Sequence, residues 1–271
     1  PTCHHHAVAR DFLSRGLSLL VEKPLTPGPA EADELVRLAR GSGAVLQVGH
    51  IERFNPAFEE LRRQKLRPRR IHCRRLGPFT GRSLDVGATL DLMINDLDLV
   101  LDLVGAPVAS VSAQGFSLLG GHEDTAWAQV NFASGCVAWF SVSRVHHEAV
   151  RQTEVWADEA VVQVDYQRKT LTIRRVAEPL RQLRAAGGPR DADSINALKS
   201  ELHGRYLQLE EVACDTSGPD QLTRELLDFI HAVRSRGTPR VTGEQGRDAV
   251  RLAWQITEAM RLHTQPERRA A

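Results

Sequence analysis

Cysteine is scarce in this 271-residue sequence, and its few copies form no pattern. The four cysteines stand far apart, and none belongs to a Cys-x-x-Cys pair: Cys3, Cys73, Cys136 and Cys214. This spacing argues against a disulfide framework and against a zinc site, and it fits the reducing cytoplasm. No apolar run approaches the roughly 20 residues that a membrane span needs, and no secretory signal is visible, so no membrane partner is expected.

An excess of charge of one sign is also missing. The 35 Lys and Arg residues nearly balance the 34 Asp and Glu residues, so nothing in the charge favours nucleic acid or an anionic membrane as a partner. The length allows one large domain or two smaller ones. Three adjacent histidines, His4 to His6, cannot all face one point of a helix, and we expect no metal site there.

No Gly-x-Gly-x-x-Gly sequence follows a predicted strand anywhere in the chain. The first 66 residues nevertheless alternate between helix and strand, which is typical of the back half of a parallel α/β unit. We expect the missing strands and the pyrophosphate-binding loop of a complete domain to lie upstream of Pro1. The predicted elements are a helix over 4–15, a strand over 17–21, a helix over 31–40 ending at Gly41, a strand over 44–48 and a helix from the Asn55-Pro56 cap to Gln64.

The character of the sequence changes at about residue 67. Runs of β-branched and aromatic residues predict a mainly antiparallel open sheet, with Ala133-Ser134-Gly135 as a hairpin turn. Residues 177–218 lack a clear period, and we expect a loop or irregular segment there. The predicted strands cover 69–76, 108–116, 126–132, 137–145, 153–157, 161–166 and 170–175, and the predicted helices cover 91–104, 221–236 and 245–262.

The segment Leu17–Leu25 is the first candidate for a binding site. An apolar run ends abruptly in Glu22, Lys23 and Pro24, and ligands of open α/β sheets bind beyond the carboxyl ends of the strands. Pro24 biases Lys23 to an extended conformation and keeps it out of a following helix. The alternative is a strand end with ordinary solvated charges.

The predicted helix Leu90–Val104 is the second candidate. At 100° per residue its polar residues fall within about 60° of one another, while apolar residues cover the rest. A helix that is apolar nearly all round should be buried, so the polar stripe should face a cavity. A stripe facing water is the alternative, although it explains Asp102 poorly, because an acid near the C-terminus opposes the helix dipole. The stripe consists of Asp91, Asn95, Asp98 and Asp102.

A cavity between Lys23 and Asp91 would suit polyol chemistry, because a lysine can hold or deprotonate a hydroxyl while carboxylates orient its neighbours. At these residues the chain resembles the glucose-fructose oxidoreductase / inositol dehydrogenase (Gfo/Idh/MocA) family. The matching segments span the whole chain: Pro1-Thr2-x-x-His5, Val21–Leu25, Val48–Pro56 (Val-Gly-His-Ile-Glu-Arg-Phe-Asn-Pro), Leu90–Asp98 (Leu-Asp-Leu-Met-Ile-Asn-Asp-Leu-Asp), Ser143–Val145 and Leu226–Met260.

The resemblance implies a two-domain oxidoreductase that moves a hydride between a nicotinamide and a sugar carbon. Residues 1–66 would be part of a Rossmann domain that binds NAD or NADP. Residues 67–271 would form the open-faced sheet, which carries the sugar and forms a homo-oligomer interface. The segments 49–56 and 90–98 resemble most closely those of members that act on nucleotide sugars, such as UDP-N-acetylglucosamine 3-dehydrogenases.

The resemblance also implies roles for individual residues. Lys23 would contact the ribose and the reacting hydroxyl, and Asp91 would be the catalytic aspartate. The implied cofactor-binding residues are Thr2, His5, Glu22, Lys23 and Arg53. The implied catalytic residues are Lys23, Asp91 and Asn95. The implied substrate-binding residues are Asn55, Asp91, Asn95 and Asp98, and Asn55 would approach the nicotinamide end.

The sequence departs from the family at Asn95, where the family usually has a histidine that shuttles the proton. An amide cannot exchange a proton usefully at working pH, although it can still hold a hydroxyl. Lys23 would then have to act as the base, with a pKa lowered by burial or by the cofactor's positive ring. Two alternatives stay open: a non-catalytic sugar-nucleotide-binding relative, and an inactive fragment.

Overall fold

The computed structural model describes residues 1–81 and 85–264. Its elements run in chain order from a small α/β unit into a large sheet, and the two closing helices follow. The helices are α1 (Thr2–Ser14), α2 (Pro29–Ser42), α3 (Pro56–Arg63), α4 (Ile94–Val104), α5 (Glu178–Ala185), α6 (Ala192–Glu201), α7 (Gln221–Ser235) and α8 (Gly243–Thr264). The strands are β1 (Leu19–Glu22), β2 (Leu46–Gly49), β3 (Pro68–Leu76), β4 (Val108–Phe116), β5 (Thr125–Phe132), β6 (Val137–Ser143), β7 (Val150–Ala157), β8 (Ala160–Asp165), β9 (Thr170–Val176) and β10 (Leu207–Ala213).

Strands β1 and β2 form a parallel pair in which Glu22 lies opposite Gly49 at the carboxyl edge. Helices α1 and α2 pack on each other and beside this pair. The alternation of helix and strand predicted for this region is therefore confirmed, and so is the Asn55 cap: its side chain accepts a hydrogen bond from the Ala57 amide.

Helix α2 ends two residues later than predicted. Gly41 lies inside the helix, and Gly43 adopts the left-handed conformation at φ +69° that terminates it. A glycine is tolerated inside a helix, but the position after the last turn requires a positive φ that other residues adopt only with strain. Both glycines lie near the C-terminus of α2, and the prediction that Gly41 terminates the helix was wrong.

The large sheet has eight strands in the order β10-β9-β8-β7-β3-β6-β5-β4. Every pair is antiparallel except β3 with β6, which is parallel. The side chains of β3 alternate between the two faces of the sheet: Ile71 and Cys73 are buried, whereas Arg74 is exposed. Helices α3, α4 and α8 pack against strands of this sheet and cover its inner face. The predicted open-faced, mainly antiparallel sheet is confirmed.

The prediction for residues 177–218 was wrong, because α5, α6 and the edge strand β10 lie there. Neither helix has a buried residue, and β10 is an edge strand that pairs with β9. The three elements contribute no buried residue to the core, and they lie in a segment rich in Gly, Ala and Arg, so they were missed.

Two hydrophobic clusters share helix α8. Ala249 and Val250 belong to the cluster around α1, α2, β1 and β2, whereas Leu252 and Ile256 belong to the cluster beneath the large sheet. Two successive turns of one helix therefore tie the small α/β unit to the sheet. Within the described residues no helix is both long and apolar enough to cross a membrane.

The helix predicted over residues 91–104 is divided. A π-helical turn, Thr89–Met93, precedes α4 and shifts Asp91 relative to the regular helical spacing. The wider turn changes which neighbours the polar stripe meets, because the spacing of 100° per residue no longer applies across it.

Candidate functional site

Lys23 and Asp91 are in direct contact at the carboxyl edge of β1. The Lys23 ammonium donates to the Asp91 backbone carbonyl at 2.7 Å and lies 3.3 Å from the carboxylate Oδ1. About a quarter of the Lys23 side chain and a little less of the Asp91 side chain stay exposed, at 25% and 22%. A charged pair that is partly covered and partly open can take a hydroxyl group of a ligand.

Asn95 follows Asp91 by one turn and is nearly buried. Its amide nitrogen donates to the Leu92 carbonyl at 3.0 Å and to the Asp91 carbonyl at 3.3 Å. The Asp91 carbonyl therefore receives hydrogen bonds from both Lys23 and Asn95. These contacts give Asn95 a place beside the pair, and its catalytic and substrate-binding roles stay predictions.

The second half of the polar stripe meets arginines. Arg53 binds both carboxylate oxygens of Asp98, at 2.6 and 3.0 Å, and its Nη1 lies 2.6 Å from Asp102. Burial alone lowers the pKa of Arg53, but the two carboxylates outweigh it and raise the pKa above its ordinary value. Asp98 is fully buried in this contact, which favours a role in holding Arg53; binding of substrate by Asp98 and of cofactor by Arg53 stay predictions.

A cleft of about 620 Å³ opens beside this ion pair, between α4 and α8. Arg53, Asp98 and Asp102 line one wall, and Gln245 and Arg251 of α8 line the other. Asp98 and Asp102 of the polar stripe therefore line a cleft, whereas Asp91 contacts Lys23 outside it. The cavity expected between Lys23 and Asp91 stays a prediction.

His50 directly follows β2, as Lys23 directly follows the neighbouring parallel strand β1. Its ring is 1% exposed, and neither nitrogen has a hydrogen-bond partner among the described residues. The nearest acid is Asp98, whose Oδ2 lies 4.0 Å from Nδ1. Burial lowers the pKa of His50, and the nearby charges of Arg53 and Lys23 lower it further, against the pull of Asp98. Sequence reasoning quoted His50 only within a motif; its position directly after a strand was the available signal.

Glu22 is an exposed residue at the end of β1, and its predicted contact with a cofactor stays a prediction. The sequence did not predict the two buried polar residues near it, Gln47 and Glu225. Gly49 approaches Glu22 so closely that a Cβ there would meet the Glu22 carboxylate at 2.9 Å. Gln47 of β2 donates to the backbone carbonyl of Glu225 on α7 at 3.2 Å. One oxygen of Gln47 and one of Glu225 lack a partner among the described residues, and both residues are buried.

The remaining predicted cofactor residues lie at the start of α1. The His5 ring contacts the Pro24 carbonyl at 2.8 Å, which joins the helix to the turn after Lys23. Thr2 is the first residue of α1 and is half-buried. Their contact with a cofactor stays a prediction.

Asn55 has its polar groups engaged inside the protein. Besides capping α3, it donates to Glu52 at 3.0 Å and to the Tyr166 carbonyl at 3.1 Å, and it is 1% exposed. These contacts favour a structural role, and substrate binding by Asn55 stays a prediction.

A buried ion network that sequence reasoning missed fixes the segment between β2 and α3. Arg75 of β3 binds Asp96 of α4 at 2.8 Å and Glu52 at 3.1 Å, and all three are buried. Burial opposes the charge of Arg75, but the two carboxylates raise its pKa well above the ordinary value. The network joins the large sheet, α4 and the segment that carries His50 and Arg53, so it holds that segment in position against α4 and the sheet.

Comparison with known proteins gives the family. The NAD-binding Rossmann fold of the oxidoreductase family GFO_IDH_MocA matches residues 1–50, and the C-terminal alpha/beta domain of the same family matches residues 81–266. The chain is 33% identical over 266 residues to the UDP-N-acetylglucosamine 3-dehydrogenase of Acidithiobacillus ferrooxidans, covering 98% of this chain and 78% of that protein. The solved structure of that enzyme superposes with a TM-score of 0.83.

Other relatives are more distant. The NAD(+)-dependent scyllo-inositol 2-dehydrogenase of Bacillus subtilis is 28% identical over 165 residues, which is 53% of this chain and 46% of that protein. Levoglucosan dehydrogenase in complex with NADH has a TM-score of 0.78 at 16% identity, covering 97% of this chain and 76% of that chain, and it supports the fold alone. The chain belongs to the Gfo/Idh/MocA family of oxidoreductases, and its cofactor class is the nicotinamide dinucleotide. The predicted family, fold class and enzyme class are confirmed.

The residues at the carboxyl edge have the chemistry to meet a polar ligand, and their contact with the nicotinamide end of such a cofactor stays a prediction. Lys23 and Asp91 leave part of their polar surface open there, and the buried imidazole of His50 lacks partners beside them. Neither β1 nor β2 is followed by a Gly-x-Gly-x-x-Gly segment, so the described residues hold no cradle of that kind for the pyrophosphate.

Proposed function

We propose that this chain oxidises a hydroxyl-bearing ring carbon of a nucleotide sugar, with NAD or NADP as the hydride acceptor. The contact between Lys23 and Asp91 at the edge of β1 is the observation that carries the proposal. The similarity to a UDP-N-acetylglucosamine 3-dehydrogenase over nearly the whole chain supports a nucleotide sugar as the substrate class.

The chain's own residues divide the work. In its neutral amine form Lys23 accepts the proton of the reacting hydroxyl, and the open part of the Asp91 carboxylate orients that hydroxyl or its neighbour. Asn95 steadies the pair by its hydrogen bond to the Asp91 carbonyl. A bound nicotinamide dinucleotide supplies the oxidant and takes the hydride.

The test is an assay of reduced nicotinamide formation. The chain is incubated with NAD or NADP and with UDP-N-acetylglucosamine, other nucleotide sugars or an inositol, and the absorbance of the reduced cofactor is followed. We expect turnover with a nucleotide sugar and a loss of about 100-fold or more in kcat for Lys23→Met. Lys199→Met, on the exposed helix α6, is the matched control and should keep kcat.

Two results would contradict the proposal. Equal activity of Lys23→Met and Lys199→Met would remove Lys23 from the chemistry. A complete lack of cofactor reduction with every sugar would contradict the dehydrogenase activity and favour a binding relative.

The domain division and the assembly are also proposals. We place residues 1–66 in a Rossmann-type unit and residues 67–271 in the substrate and assembly unit, although α8 packs against both. The outer face of the large sheet carries three exposed tryptophans, Trp127, Trp139 and Trp156, among polar side chains, and we propose that it pairs with a second copy of this chain. The free thiols fit the reducing cytoplasm as the location.

A further inference from the structure

A dehydrogenase that oxidises a hydroxyl must release one proton per turnover, and Asn95 cannot carry it. The proton that Lys23 accepts therefore needs another route out once a sugar and a cofactor cover the open side of the Lys23–Asp91 pair. Side chains that can accept and pass on a proton next to Lys23 are the candidates.

His50 is placed for this task. It follows β2 as Lys23 follows β1, and the two strands are parallel with Glu22 opposite Gly49, so the two side chains leave the same edge of the sheet. Both ring nitrogens lack a hydrogen-bond partner among the described residues, although the ring is almost completely buried. An unpaired imidazole in the interior costs free energy, and such groups need a specific explanation.

A second observation shows where a proton on His50 could go. The Asp98 carboxylate lies 4.0 Å from His50 Nδ1, slightly beyond hydrogen-bonding distance, and it also lines the 620 Å³ cleft between α4 and α8. Arg53 holds Asp98 in place through two hydrogen bonds. The chain of groups thus runs from the active edge through α4 to a solvent-facing cleft.

We propose that His50 is a relay residue that takes the substrate's proton from Lys23 and passes it through Asp98 to water in the cleft between α4 and α8. The proposal rests on the dehydrogenase activity proposed above. With Lys23 entering the step as the neutral amine, the hydroxyl O–H bond breaks and the proton moves to Lys23 Nζ and then to a His50 nitrogen. The hydride is the part that a bound nicotinamide dinucleotide would accept. Charge is conserved, because Lys23 becomes neutral when His50 becomes an imidazolium.

Burial opposes a charge on His50, and the charged groups nearby decide how strongly. The charged groups around His50 are Lys23 after β1, Arg53 in the short helix Ile51–Phe54 and Asp98 on α4. Burial is the largest cause of the lowered pKa of His50, and the charges of Arg53 and Lys23 add to it. The contribution of Lys23 disappears when Lys23 gives up its proton, which makes the step less costly. Asp98 stabilises the resulting imidazolium.

The first experiment measures turnover of the full chain. Because a glutamine is a polar side chain similar in size to histidine but cannot carry a proton, we expect His50→Gln to lower kcat at least tenfold and to change its pH dependence. The sugar KM and the Tm should stay close to those of the unmodified chain. Adding Asn95→His in that background should restore most of the lost kcat, since it supplies an imidazole beside the pair. His231→Gln, an exposed histidine on α7, is the control.

The second experiment does not need turnover. Imidazole resonances of the 11 histidines are followed by NMR against pH, and the His50 signal is the one that His50→Gln removes. Lys23→Met should raise the pH at which His50 protonates, because a neighbouring positive charge is lost. The resonance of His231 should not move.

The outcomes separate the relay from the dehydrogenase activity. Unchanged kcat and pH dependence in His50→Gln would overturn the relay while the enzyme stays a dehydrogenase. The relay would also be overturned if Lys23→Met left the pH at which His50 protonates unchanged. Lack of turnover in the unmodified chain would contradict the proposed function instead, and the resonance would still decide whether His50 senses Lys23.

Discussion

Glu225 is a carboxyl group that the fold holds away from water and near other acids. It is 1% exposed, one of its oxygens has no partner among the described residues, and Glu22 and Asp228 lie nearby. Burial, with the charges of these two acids, raises the pKa of Glu225 to about 7. Since the folded-state pKa lies above the unfolded one, the contribution to stability is complete below about pH 4.5 and is lost as the pH rises through 7.

Glu225→Gln should therefore stabilise the chain in alkaline solution. At pH 8 we expect the free energy of unfolding to rise by roughly 2 kcal/mol, and at pH 4 the difference should vanish, because the glutamate is then protonated in both states. Urea unfolding at the two pH values measures it. Glu211→Gln, on the exposed edge strand β10, is the control and should show no such pH-dependent difference. A variant that is less stable than the unmodified chain at pH 8 would contradict the prediction.

At this scale the sequence placed Lys23 and Asp91 at one site but predicted neither their direct contact nor their surroundings. Lys23 and Asp91, 68 residues apart, were expected on opposite sides of one cavity, and they touch. The isolation of His50 and the network of Arg75 could not be predicted, because both depend on which groups the fold leaves nearby. The inward position of Arg75 does follow the alternation of Ile71 and Cys73, so its burial had a signal while its partners had none.

Helix α8 approaches β2 so closely that only glycine fits at two positions near its start, Gly243 and Gly246. A Cβ on Gly246 would lie 2.4 Å from Val48 Cγ2, and one on Gly243 would lie 2.6 Å from Leu46 Cδ2. Val48 is fully buried, so it cannot move aside into solvent. These contacts let the closing helix join the small α/β unit to the large sheet.

Gly246→Ala should destabilise the chain by about 2 kcal/mol, because the added methyl group overpacks this contact. Gly41→Ala is the matched control: Gly41 also lies within a helix, but a Cβ there would meet nothing within 4 Å, and its φ is not positive. Since alanine is the better helix former, Gly41→Ala should stabilise the chain by about 0.5–1 kcal/mol. Urea unfolding of the two variants compares them, and a change of the same sign in both would show that helix propensity rather than packing decides.

Elements with one buried face were predictable, and elements without one were not. Strand β4 was placed at its observed bounds, Val108–Phe116, and α3 within one residue, because each buries alternate or periodic apolar residues. The segment 177–218 was mistaken for irregular structure, since α5 and α6 bury nothing. The π turn before α4 was likewise invisible, because its sequence is as apolar as the helix that follows.

At the scale of the whole molecule, the outer face of the large sheet exposes aromatic side chains that a second protein surface could cover. Trp139 on β6 is 38% exposed and donates to Gln129 of β5, and Trp127 on the same face is 51% exposed. Aromatic side chains set among hydrogen-bonding ones are typical of the core of a protein interface. A twofold axis through the face would place each tryptophan against the same surface of the second copy.

We therefore expect the chain to be a dimer or a higher assembly of dimers, and Trp139→Glu to shift it to the monomer by burying a carboxylate without a partner. Trp254 on α8 provides a matched control: at 45% it is as exposed as Trp139, but it lies on a helix that covers the opposite face of the sheet. Size-exclusion chromatography with light scattering measures the mass of the unmodified chain and of both variants. If Trp254→Glu dissociates the assembly and Trp139→Glu does not, the copies associate through α8 rather than through the sheet.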